Sequence, residues 1–99
     1  MLPPFDLDDL PGEWWPVYDT PEAQDLVQEL DREMPEGHAL KGRQLTAVAV
    51  RRHLKDTVFW LPETSEWAYV HLSGHVETDT RWPSAFVTHD WPELIHELI

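Results

Sequence analysis

No cysteine occurs in these 99 residues, so disulfide staples, thiolate nucleophiles and thiolate metal sites are all excluded. Glycine is scarce, four in all, which leaves little room for a phosphate-cradling loop. No apolar run approaches the roughly 18 residues that a membrane-spanning helix needs. The opening Met1-Leu2-Pro3-Pro4-Phe5-Asp6 lacks the basic start and apolar middle of a signal peptide, and a cytoplasmic protein is expected. Positive charge is short as well. Nineteen acids face seven bases, for a net charge of −12. A field of that sign repels phosphate backbones and anionic lipids, so direct binding to nucleic acid or membrane is not expected. It attracts basic surfaces instead.

The charge is unevenly spread. Residues 1–36 hold eleven acids and one base, Arg32, while residues 37–61 hold five bases (Lys41, Arg43, Arg51, Arg52, Lys55) and one acid, Asp56. Residues 62–99 return to seven acids against Arg81. Hydrophobic content of 41% is ordinary for a globular chain and argues against wholesale disorder. At this length one domain is expected.

The organising stretch is Asp56–His75. Asp56-Thr57-Val58-Phe59-Trp60-Leu61 and Trp67-Ala68-Tyr69-Val70-His71-Leu72 are apolar runs separated by polar turn formers, which predicts an antiparallel hairpin. Leu45 to Arg52 predicts a strand before it, with Ala47 and Ala49 on one face and Val48 and Val50 on the other. Ala85–Thr88 predicts a short fourth strand. Each link is too short for a parallel crossover, so the strands form an antiparallel meander.

Two helices frame this sheet. Thr20 as N-cap, Pro21 at the first turn and the apolar stripe Ala23, Leu26, Val27, Leu30, Met34 predict the first. Its other face carries Glu22, Asp25, Glu29, Asp31 and Glu33. Asp90, with Glu93 three residues on, has the spacing of a capping box and opens the second, whose stripe is Trp91, Leu94, Ile95, Leu98 and Ile99. The expected fold is α+β, a three- to four-stranded antiparallel meander with both amphipathic helices packed on one face. Residues 1–19, with Pro3, Pro4, Pro11, Gly12 and Pro16, read as an irregular Pro/Trp-rich arm on a single domain of residues 20–99.

By His38-Ala39-Leu40-Lys41-Gly42, Asp56-Thr57-Val58-Phe59, Ala68-Tyr69-Val70-His71-Leu72-Ser73-Gly74 and Trp82-Pro83, the chain resembles a set of small bacterial proteins. Their corresponding text runs His-Pro-Leu-x-Gly, Asp-Val-Leu-Phe, Tyr-Ala-Val-Val-His-Leu-Thr-Trp and Trp-Pro. Ala39 stands where proline is usual there, and no tryptophan follows Ser73. In general style, small and acidic with helices on an antiparallel sheet, the chain is also similar to immunity proteins of bacterial toxin systems.

Chemistry is less legible. His71 and His75 with Glu77 are candidates for a metal or small-ligand site, but the spacing falls across a strand end rather than along a helix. Ser73, His71 and Asp79, or Ser84, His89 and Asp90, have the residue types of a hydrolytic site without a nucleophile turn around either serine. No enzyme and no cofactor are expected. Six tryptophans among so many carboxylates suggest a protein-binding surface, in which rings anchor and acids steer. The candidates are Trp14, Trp15, Tyr18, Asp25, Glu29, Trp60 and Trp67, with a basic protein, most concretely a cognate toxin, as partner. The competing reading has Trp60 and Trp67 as a cross-strand pair that covers the sheet beneath a helix. Self-association through tryptophan is a further reading.

Overall fold

The computed structural model describes residues 6–51 and 56–99, with Leu7 described for its backbone alone. Residues 1–5 and 52–55 lie outside the described residues, and with them all but Asp56 of the stretch His53-Leu54-Lys55-Asp56, at which the sequence is expected to turn into the next strand. After a 3-10 turn at Leu7–Asp9 come β1 (Trp15–Pro16), α1 (Pro21–Glu33), β2 (Thr46–Arg51), β3 (Asp56–Leu61), β4 (Glu66–His71), β5 (Ala85–Thr88) and α2 (Trp91–Leu98). The strands form one antiparallel sheet in the order β1-β2-β3-β4-β5. The meander therefore has five strands rather than three or four. The added one comes from the arm, where Trp15 pairs with Val50 and Pro16 with Ala49. It stays two residues long at the sheet edge, where a proline's missing N–H does least harm.

The helices do not share a face. Alternate residues of β3 and β4 enter two separate apolar clusters. Phe59, Leu61, Ala68 and Val70 pack with Ala23, Leu30 and Met34 from the first helix and its cap, joined by Val17 and Leu40. Val58, Trp60 and Trp67 pack with Leu94 and Leu98 of α2 and with Trp14. The physical reason lies in β3, whose six residues are all buried. A strand covered on one side alternates apolar and polar, whereas Val58-Phe59-Trp60-Leu61 is apolar on both.

β2 departs from strict alternation too. Ala47 opposes Phe59 and Ala49 opposes Val58, with a register shift between them. That bulge turns both Val48 and Ala49 toward the α2 side and leaves Ala47 and Val50 on the α1 side. The Val48 carbonyl accepts from Val17 N (2.8 Å) and Tyr18 N (3.2 Å), which draws the arm onto the sheet. Trp14 Nε1 donates to Leu98 O (3.3 Å) and Trp91 Nε1 to Asp9 Oδ2 (2.8 Å), so Asp9 and Trp14 tie the arm to α2 while Val17 enters the α1-side cluster.

Helix ends follow sequence chemistry in one case and not the other. Asp90 Oδ1 accepts from Glu93 N (3.4 Å), the expected cap. Thr20 is the N-cap of α1, but its hydroxyl donates back to Val17 O (2.5 Å) and caps nothing. Among the described residues, no helix is long and apolar enough to cross a membrane.

Candidate partner-binding surface

The surface that combines apolar walls, charge and depth lies between α1 and the sheet. A cleft of about 420 Å³ is walled by Leu26, Val50 and Leu72, floored by Thr57 and rimmed by Glu22 and Glu29. Arg32, Glu33 and Gly74 close its end. The helical spacing of Glu22, Leu26, Glu29 and Glu33 puts them in line along one side of α1.

Glu33 is the unexpected member. The helical pattern places it on the outer, acidic face, yet it is fully buried. It is the last residue of α1 and turns onto the exit of β4, where its Oε1 accepts from Ser73 N (2.7 Å) and Ser73 Oγ (3.1 Å) and its Oε2 from Gly74 N (2.9 Å). Burial, and then a hydrogen bond with Glu29, push the Glu33 carboxyl above its ordinary value, against the pull of those three donors. Arg32 sits beside it as a fork on Glu29 (3.0 and 2.7 Å) and also reaches Gly74 O (3.3 Å).

The aromatic candidates divide. Trp15 is 57% exposed, the most open indole described. Directly opposed antiparallel residues share a face, so its pairing with Val50 puts it on the α1 side, beside the cleft wall. Tyr18 and Glu29 are half-buried and Asp25 is exposed. Trp14, Trp60 and Trp67 are buried in the α2-side core, although an edge of Trp60 lines a surface cavity with Tyr18. Trp60 and Trp67 are cross-strand partners with ring centroids 4.4 Å apart, and Trp67 also meets Trp91 of α2 at 4.7 Å. The competing reading, a pair covering the sheet beneath a helix, is the observed one. Trp82, not among the candidates, is 49% exposed.

A second polar cluster lies at the same open end of the hairpin, where Asp56 pairs with His71, but on the α2 side of the sheet. Asp56, 4% exposed, accepts from Arg51 Nη2 (2.5 Å), Tyr69 OH (2.8 Å) and His71 Nδ1 (2.5 Å). Burial alone would raise the Asp56 carboxyl, but the hydrogen bonds from Arg51, His71 and Tyr69 outweigh it and hold the group below its ordinary value. Arg51 also lies over the Trp14 ring at 5.1 Å and so serves the α2-side core, whereas Lys41 pairs with Asp31 of α1 at 3.3 Å. This cluster uses up the Nδ1 of His71. His75 lies exposed beyond the strand end, and the Glu77 amide donates to Glu33 O (2.9 Å). Among the described residues no group of three or more His, Asp or Glu is arranged to hold a metal, so His71, His75 and Glu77 do not form the candidate metal site.

His38 is a structural residue. Leu40 N–H donates to its Nδ1 (3.1 Å), which leaves Nε2 as the donor to Pro83 O (2.8 Å). That bridge joins His38–Gly42 to Trp82-Pro83, two of the stretches on which the resemblance rests. No protein-family model, curated protein or solved structure matches the chain.

Proposed function

We propose that this chain is a non-enzymatic binding protein that holds or blocks a basic protein partner. The observation that carries this reading is the pairing of Trp15 with Val50, which sets an exposed indole beside the wall of an acid-rimmed cleft. An exposed aromatic anchor on the same side of the sheet as a helix that carries Glu22, Asp25 and Glu29 has the composition of a protein interface with a steering field. With a net charge of −12, encounter with a basic surface is accelerated and encounter with a nucleic acid is opposed.

In its most concrete form the proposal is an immunity protein occluding the active cleft of a bacterial toxin. A nuclease suits the chemistry, because a cleft built for phosphate carries the matching positive field. Acids set the rate of approach, and Trp15 sets the rate of departure.

The test is capture of a basic protein from the source cell, its identification, and association kinetics with the purified pair. The association rate is expected to fall steeply with salt and to fall again in the double variant Glu22→Gln/Asp25→Asn. A rate indifferent to both salt and these substitutions overturns the proposal.

A further inference from the structure

Thr57 lies in the middle of β3, its side chain on the α1 side with that of Val50, its cross-strand partner. It is fully buried, it lines the floor of the cleft, and its Oγ1 has no hydrogen-bond partner among the described residues. Native folds rarely leave a buried hydroxyl unpaired, and such a group at the bottom of an open cleft is a place for a ligand atom. The walls above it, Leu26, Val50 and Leu72, suit an apolar stem. Three carboxylates, Glu22, Glu29 and Glu33, line the cleft against one guanidinium, Arg32. The C-terminal end of α1 adds the negative pole of its dipole at Glu33.

An apolar stem that ends in a cationic hydrogen-bond donor meets all of these conditions. We propose that the cleft receives a single lysine or arginine side chain of the partner, its stem against Leu26, Val50 and Leu72 and its head donating to Thr57 Oγ1 among the carboxylates. This rests on the basic-partner reading above and adds where the partner is anchored and by what. Arg32, forked on Glu29 at the end of the cleft, shows that its lining already accommodates one guanidinium.

The experiment titrates the full ¹⁵N-labelled chain at low salt with n-butylguanidinium and n-butylammonium, with n-butanol and butyrate in parallel. The cations are expected to give saturable shifts at the amides of Thr57, Leu72 and Gly74, and the uncharged and anionic analogues none. Thr57→Val is expected to keep a dispersed, folded spectrum and to weaken cation binding about fivefold, the worth of one hydrogen bond. Thr57→Ser, which retains the hydroxyl, is expected to bind. Absence of saturable shifts at these amides, equal response to n-butanol, or undiminished binding by Thr57→Val each overturns the inference. If the cations fail while Glu22→Gln/Asp25→Asn still slows partner capture, the anchoring site falls and the partner reading stands. If the cations bind while no partner's capture depends on α1, the occupant is a free organic cation, and both the partner reading and this inference fall.

Discussion

Glu33 accepts two hydrogen bonds from Ser73, through N at 2.7 Å and Oγ at 3.1 Å, and so ties the end of α1 to the exit of β4 across forty residues of sequence. The tie comes with a fully buried carboxylate. Two consequences are measurable. Glu33→Ala strands the Ser73 and Gly74 amides and is expected to destabilise the fold by about 1–3 kcal/mol in urea denaturation. The pH dependence has a definite sign. Because the folded-state value of Glu33 lies above the ordinary one, its stabilising contribution is complete below the ordinary value and is lost as pH rises through the folded value. Glu33→Gln is expected to remove that decline, and a Tm-against-pH curve that keeps it in the variant would place its origin elsewhere.

Asp56 works in the opposite direction. Its folded-state value is depressed, so its contribution is complete above the ordinary aspartate range and is lost as pH falls through the folded value. Asp56→Asn leaves Arg51, with only 16% of its side chain exposed, beside a neutral amide. A cost of about 3 kcal/mol is expected, as for breaking one partner of a buried ion pair. Acid unfolding of the variant should begin from a lower plateau and be correspondingly shallower. An unchanged acid limb would show that Asp56 is not the group titrating there.

Much of this architecture is legible in the sequence, and the failures have specific causes. The hairpin, the fourth strand, both helix starts and the Asp90 cap follow from local patterns, which short-range chemistry decides. Placing both helices on one face fails because Val58-Phe59-Trp60-Leu61 contains the contrary signal, an unbroken apolar run that only a sheet covered on both sides requires. The bulge at Val48 has no local marker, since alanine and valine alternate there without interruption. Glu33 reads as a solvated helix residue because its partners, Ser73 and Gly74, are distant in sequence. In the candidate surface, Asp25, Glu29 and Trp15 are visible as types, but the depth of the cleft and the orphan hydroxyl of Thr57 exist only once β3 and α1 are packed.

The tryptophans offer a separation of roles. Trp67 is 1% exposed between Trp60 and Trp91, and Trp67→Ala is expected to cost about 3–5 kcal/mol through the cavity it leaves. Trp15→Ala, at an edge strand with the ring largely in water, is expected to change stability by about 0.5 kcal/mol or less. In the complex the order reverses in meaning: Trp15→Ala should raise the dissociation rate about tenfold or more with little change in the association rate. Thermal melts and surface-plasmon kinetics on the two variants check this together. A Trp15→Ala protein that dissociates like the parent would remove the indole from the interface.

Thr57 carries a prediction in which stability and binding move apart. Thr57 Oγ1 is buried without a partner among the described residues, so replacing it by a methyl group is expected to remove a cost. Valine keeps the β-branched shape that suits the centre of a sheet. Thr57→Val is therefore expected to stabilise the free protein by about 1 kcal/mol, which in a domain of this size corresponds to a rise in Tm of about 4–8 °C. The same change removes the acceptor at the cleft floor, so the variant should melt later and bind the butyl cations more weakly. Thr57→Ser separates the two contributions, since it keeps the hydroxyl but loses the packing methyl and should melt earlier while binding is retained. A Thr57→Val protein that melts below the parent would mean that the hydroxyl is satisfied in solution, and the cleft would then lose the unpaired group that marks it for a ligand.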